Sequence, residues 1–362
     1  MRTVKIYVVP SHQTKERTSG VDMVRIVQPM QHLDGYVYKD VKFKVTVYNI
    51  HKEKQDVWDK VAKENDIIFL NYTGNAWGFA MMGCMARKYG KKLVFDVDDS
   101  LWDIREDNPA YKVYKKGSES IKNFTSMVNE VDYMTTTNLT LKHVITHNTF
   151  KKHEDITIFP NYIDFKLYKH RSPFRDDHNI RLLHYGSTTH FVSLQEEEFE
   201  KGVDKIFKEY PNVTFKNIGG RIQKYKERWG ERYEIGFGHS NVYTWIKDKF
   251  PEFMDETDII VAPLSDNLYN RCKSSIKFIE SASAKKPGVW QDIRQYKEVI
   301  NGENGLLAYR ADDWYKQIKK LIDDKELRRK MGENAYNTVR KDWRINTHVK
   351  DYAKFFKDVL DK

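Results

Sequence analysis

The chain has 362 residues, room for two domains of about 100–200 residues each, and its 40% hydrophobic and 31% charged content excludes a mostly disordered polypeptide. A formal net charge of +10 favours polyanionic partners, namely nucleic acid, phosphorylated substrates or an anionic membrane face, unless the lysines merely solvate the surface. No apolar run reaches the ~18–20 residues of a membrane span, and two cysteines far apart, Cys84 and Cys272, offer no cysteine zinc pattern and suit a reducing compartment.

The N-terminus reads as a strand, Thr3–Val9, and not as a signal core, so a cytoplasmic protein is expected (host cytoplasm if phage-encoded). A helix is predicted over Ser19–Leu33, followed by strands Lys42–Asn49, Asp66–Tyr72 and Lys91–Val97. Between the last two, Gly78–Gly90 is apolar at helical spacing and ends in glycine. Strands Val131–Thr137 and Ile156–Asn161 close the first half. The polar segment Tyr162–Asn179 reads as a linker, after which the pattern restarts. Strands Ile180–Ser187, Val213–Gly220 and Asp258–Leu264, a helix Ser274–Lys286, a strand Gly305–Arg310 and a helical C-terminus from Asp312 follow. Strands separated by helices imply two Rossmann-like, doubly wound parallel sheets. The expected division is 1–165, 180–340 and a last helix, 341–362, that crosses back to the first domain. Ligands of such sheets bind beyond the carboxyl ends of the strands, so the cleft between the halves is the expected site. Gly186, Gly219 and Gly220 end strands there, where bare backbone can approach a phosphate or simply turn the chain.

The segment Ala262–Ala308, APLSDNLYNRCKSSIKFIESASAKKPGVWQDIRQYKEVINGENGLLA, resembles the donor-binding segment of GT-B glycosyltransferases, especially glycosyltransferase family 4. Tyr185–His190 (YGSTTH) is similar to the Gly-Ser…His turn of the same group, and Ser19–Pro29 to its N-terminal glycine loop with Arg25. The resemblance implies a GT-B fold, a nucleotide-diphosphate sugar as donor, and no further cofactor or metal. Glu280 then accepts hydrogen bonds from the ribose diol. Lys273, Ser274 and Ser275, with Gly186, Ser187, His190, Gly219 and Gly220, face the diphosphate. The alternative makes Glu280 a surface helix residue and Lys273 a solvated lysine. The chain departs from the family at Cys272, where the first of two glutamates normally stands, and in its unclear basic pair, for which His190 and Arg221 are the nearest candidates.

The stretch Lys91–Ile104, KKLVFDVDDSLWDI, carries Asp96, Asp98 and Asp99. It admits a metal-binding Asp-x-Asp, a phosphohydrolase nucleophile of the haloacid dehalogenase type, a cap on the next turn, or acceptor-facing carboxylates, one of them a base. The last is preferred, with Trp102 stacking on the acceptor or forming the cleft wall. The charge, together with Arg221–Arg232 (RIQKYKERWGER), fits a polyanionic acceptor; a resemblance to the glycosyltransferases of phage genomes implies a hydroxymethylated base of phage DNA, touched by Arg25, Trp102, Arg221 and Lys224. A lipid-linked or surface polysaccharide acceptor and a non-catalytic DNA-binding protein are the alternatives.

Overall fold

The computed structural model describes residues 1–11, 19–48, 57–71, 76–168, 175, 177–238 and 245–362. The expected strand ends Asn49 and Tyr72 and part of the expected linker lie outside the described residues. The N-terminal half carries a seven-stranded sheet. Its strands are β1 (Arg2–Val9), β2 (Val37–Tyr38), β3 (Val41–Val47), β4 (Ile67–Asn71), β5 (Lys92–Val97), β6 (Tyr133–Thr136) and β7 (Ile156–Ile158), in the order β2-β3-β1-β4-β5-β6-β7. Only the β2–β3 pair is antiparallel. The second half carries β8 (Ile180–Tyr185), β9 (Val213–Ile218), β10 (Tyr233–Gly236), β11 (Ile259–Ala262), β12 (Gly288–Gln291) and β13 (Leu306–Ala308), all parallel, in the order β10-β9-β8-β11-β12-β13.

Both sheets are covered on two faces, so successive strand residues are apolar instead of alternating with polar ones. In β1, Val4, Ile6 and Val8 enter one core, while Tyr7 and Val9 enter the other. In β11, Ile259 and Val261 face one side, and Ile260 and Ala262 the other. The last helix, Ile345–Asp361, repeats buried residues at Ile345, Val349, Tyr352 and Phe356, a helical spacing. That stripe packs on the N-terminal sheet beside Val4, Ile6 and Phe69, and Phe159 stacks on Tyr352 with ring centroids 4.0 Å apart.

The described start of the segment read as a polar linker, Tyr162–Tyr168, is a packed crossing. Ile163 N–H donates to the Trp343 carbonyl at 3.0 Å and its own carbonyl accepts from Ile345 at 3.1 Å, while Ile163 and Tyr168 are fully buried. Its aromatic and aliphatic residues explain this, since charge count alone hides them. The helix expected over Ser19–Leu33 begins as a wide turn, Asp22–Val27, and tightens at Gln28–Leu33. Pro29 lacks the N–H that would close a regular turn to Arg25 and crowds that carbonyl, which accounts for the widening.

Candidate active site

The carboxyl ends of the two sheets face one another across a cleft of about 270 Å3. On the C-terminal side, β8 ends in the turn Gly186-Ser187, and the helix Ile276–Ser283 presents Lys277 and Glu280 three residues apart on one face. Tyr168, Tyr185, Trp245 and Tyr296 form aromatic walls. The hydroxyl of Tyr168 donates to Glu280 Oε1 at 3.0 Å, and that of Tyr185 donates to the Lys277 carbonyl at 2.9 Å. Burial pushes the Glu280 carboxyl up to about 7, with its Tyr168 bond and Lys277 acting the other way.

Lys277 Nζ lies 3.1 Å from His190 Nε2. Burial, reinforced by the charge of Lys273, brings the Lys277 ammonium down to about 7. Burial, and then the charges of Lys277 and Lys273, hold His190 well below its usual value. Behind them, buried His184 meets Asn217 Oδ1 at 3.0 Å through Nδ1. The site therefore combines a carboxyl, an amine and an imidazole whose burial weakens charge until a charged ligand arrives.

On the N-terminal side, Asp98 and Asp99 follow β5 and reach the cleft. Asp99 accepts from Lys273 Nζ at 3.1 Å through both oxygens. Burial opposes the charge on Lys273, but Asp99 and the Tyr269 hydroxyl together more than offset it and raise the lysine above its ordinary value. Asp98 has no such partner in hydrogen-bond reach among the described residues; burial, and then the charges of Asp99 and Asp96, push it up to about 7. Asn161 ties the halves together, donating to Ser274 Oγ at 2.6 Å while its Oδ1 accepts from Arg25. Asn138 likewise donates to the carbonyls of Cys272 (2.7 Å) and Lys273 (3.1 Å).

Residues 182–324 match the family model described as "Glycosyl transferases group 1". Among solved structures, the chain is similar to HepE from Anabaena in complex with UDP-glucose (TM-score 0.67, 14% identity, 98% of this chain and 99% of that one). It is also similar to sucrose-phosphate synthase from Thermosynechococcus elongatus (TM-score 0.63, 11% identity, 99% of each chain) and to TarM from S. aureus (TM-score 0.61, 13% identity, 85% of this chain and 59% of that one). The chain has the GT-B fold, and its second half carries the match to the group 1 glycosyl transferases. No curated protein gives a significant sequence match.

Of the residues expected at the site, the cleft brings together Asp98, Asp99, Gly186, Ser187, His190, Lys273, Ser274 and Glu280. Several others need correction. Asp96 and Arg25 are 0% and 2% exposed and are spent on each other: Arg25 donates to both Asp96 oxygens at 3.0 and 2.6 Å and also to Phe159 O. Neither can touch an acceptor. Gly219 and Gly220 do not line the cleft. A Cβ on Gly219 would stand 1.7 Å from the Gly186 carbonyl, so its bare backbone admits the neighbouring turn and not a phosphate. Ser275 is buried and faces a smaller crevice. Trp102 packs on Phe124 and donates to Thr125 at 2.9 Å, lining a separate groove on the N-terminal half. Arg221 and Lys224 lie outside the cleft. The helix Gln223–Trp229 buries Tyr225 and Trp229, which turns Lys224 and Arg228 onto Glu200 at 2.7 and 2.8 Å. The turn after Asp99 is closed by Ser100 donating to Asp103, not by Asp98 or Asp99.

Sequence reading missed Lys277, Tyr168, Tyr185 and Asn161. Lys277 was findable, since it shares a helix face with Glu280. Tyr168 was hidden in a segment whose charges suggested solvent. The absent family glutamate has a local reason as well. Cys272 is fully buried within the N-terminal half's core, where a carboxylate would lose its water without gaining a partner.

Proposed function

We propose that this glycosyltransferase moves a sugar from a nucleotide-diphosphate sugar to an acceptor hydroxyl. The carrying observation is the convergence of Glu280, Lys277 with His190, and Asp98 in one aromatic-walled cleft. Tyr168 donates to one oxygen of Glu280 and holds the carboxylate toward the cleft, where it accepts from the ribose diol. Lys277 and the amides at the start of its helix meet the diphosphate, whose charge grows as the sugar departs. Asp98, across the cleft, takes the proton of the attacking hydroxyl. Asp99 holds Lys273 and so links the two halves.

The crystallised complexes of HepE with UDP and with UDP-glucose support this donor class. Changing Glu280 to alanine is therefore expected to weaken UDP binding roughly ten- to a hundredfold, the worth of a charge-assisted hydrogen bond at about 1.5–3 kcal/mol. Calorimetry showing unchanged affinity would remove Glu280 from the nucleotide site.

For the acceptor, the reading is a hydroxymethylated base of phage DNA, supported by the net charge of +10. Because Lys224 and Arg228 are internally paired, the DNA contacts must come from other cations. Mass spectrometry of nucleosides, after treating hydroxymethylated DNA with the protein and a panel of nucleotide sugars, is expected to show a sugar adduct. A second reading, a cell-surface or lipid-linked glycan, is favoured by the complex of TarM with alpha-GlcNAc-glycerol and UDP. Transfer to such a glycan, with none to DNA, would replace the DNA acceptor.

A further inference from the structure

A second, smaller crevice of about 70 Å3 opens along the seam between the halves, close to the crossing formed by Pro160 and Trp343. Its floor is shared with the nucleotide cleft through Lys273 and Ser274, but its outer wall is different. Arg294 and Lys297, both exposed, project from the short turn after β12 and have no ion-pair partner among the described residues. Arg271 stands beside them, sharing its charge with Asp266 at 2.6 Å. Between the cations, Gln295 is only 5% exposed, and its Nε2 has no hydrogen-bond partner among the described residues. A buried amide donor left unpaired costs about 1–3 kcal/mol, so its place in a crevice wall asks for an acceptor that arrives from outside. One carboxyl, Glu298, also lines the crevice, and its Oε2 is likewise buried without a hydrogen-bond partner among the described residues; burial pushes it up, and once protonated it offers an arriving anion a further O–H donor. Thr140 supplies a hydroxyl from the N-terminal half.

Two free cations, a third half-committed one, a buried unpaired amide donor and a hydroxyl around a small volume form the donor set of an oxyanion. We propose that this crevice binds a phosphate group separately from the nucleotide cleft. Because its walls come from both halves, a bound phosphate bridges them near the crossing. The group is either a free phosphate or a phosphodiester of a polymeric acceptor lying across the seam.

Titration calorimetry on the full chain tests this with two probes, inorganic phosphate and a short oligothymidylate. The double variant R294Q/K297Q removes exposed side chains and leaves the core intact. It is expected to lose about tenfold or more of the phosphate affinity, the effect of removing charge-assisted bonds, while its UDP affinity stays at the wild-type value. K277Q, which alters the nucleotide cleft, is expected to retain phosphate binding in the crevice. Binding of both probes assigns the site to a polymer's phosphodiester, and binding of phosphate alone assigns it to a free anion; either outcome supports the site. The proposal is overturned if the wild-type chain takes up neither probe, if R294Q/K297Q binds both as the wild type does, or if only K277Q reduces binding.

Discussion

Replacing Arg25 by methionine should destabilise the protein by about 3–5 kcal/mol, the usual consequence of removing one partner of a buried ion pair. Asp96 is fully buried and would keep only the Thr135 hydroxyl, which donates to it at 2.5 Å. The charge then has neither water nor a cation, and the Phe159 carbonyl and Asn161 Oδ1 lose a donor at the same time. Removing both charges, with Arg25→Met and Asp96→Leu together, should recover much of the loss, because the desolvation of two ions disappears along with their attraction. Urea unfolding of the single and double variants measures this. An acceptor-binding arginine would behave differently, with the single variant folding normally and losing only transfer. A single variant whose unfolding midpoint matches the wild type would therefore return Arg25 to the surface of the cleft.

This pair also shows where sequence reading stops. The strand β5 was legible from its apolar run, and the three aspartates were rightly seen to cluster at its carboxyl end. The structure divides them by geometry that no local pattern encodes: Asp96 still lies within the strand and points into the sheet's cover, while Asp98 and Asp99 lie past it. What claims Asp96 is an arginine 71 residues away. Long-range pairing of this kind also decided Lys273, which was assigned to a phosphate and is held by Asp99 across the cleft. It decided Lys224 and Arg228 too, read as a DNA-facing run and drawn onto Glu200 from a different helix. The two-sheet plan was readable because long apolar runs repeat between helical stretches. The four-residue strand β12, Gly-Val-Trp-Gln, was not among the expected strands, since it is too short to show a period and follows a proline. The helix Ile276–Ser283 was legible by resemblance, but Lys277 on it was missed, although helical spacing places it on the same face as Glu280.

The largest effect on turnover is expected from pH, because three groups in the cleft titrate near neutrality. Asp98, pushed up to about 7 by burial and by Asp99 and Asp96, must be ionised to accept a proton, so kcat/KM should fall as pH drops below that value. Glu280, raised to about 7 by burial, must be ionised to accept hydrogen bonds from the ribose and so steepens the same acid limb. Lys277 runs the other way. Burial and Lys273 bring it down to about 7, so it loses the proton, and with it the charge facing the diphosphate, as pH rises. The product is a bell with its maximum close to neutral pH. Lys277→Arg supplies a cation that cannot be deprotonated in this range and should flatten the alkaline limb. Lys277→Gln should lower kcat/KM at every pH. Asp98→Asn should cost about 10²–10⁴ in kcat, the span of general base catalysis, while UDP binding stays near the wild-type value. Steady-state rates across the pH range, with the nucleotide product as readout, decide the matter. A wild-type profile that stays level on the alkaline side would show that Lys277 is not the titrating cation, and an Asp98→Asn enzyme of normal kcat would take the base away from Asp98.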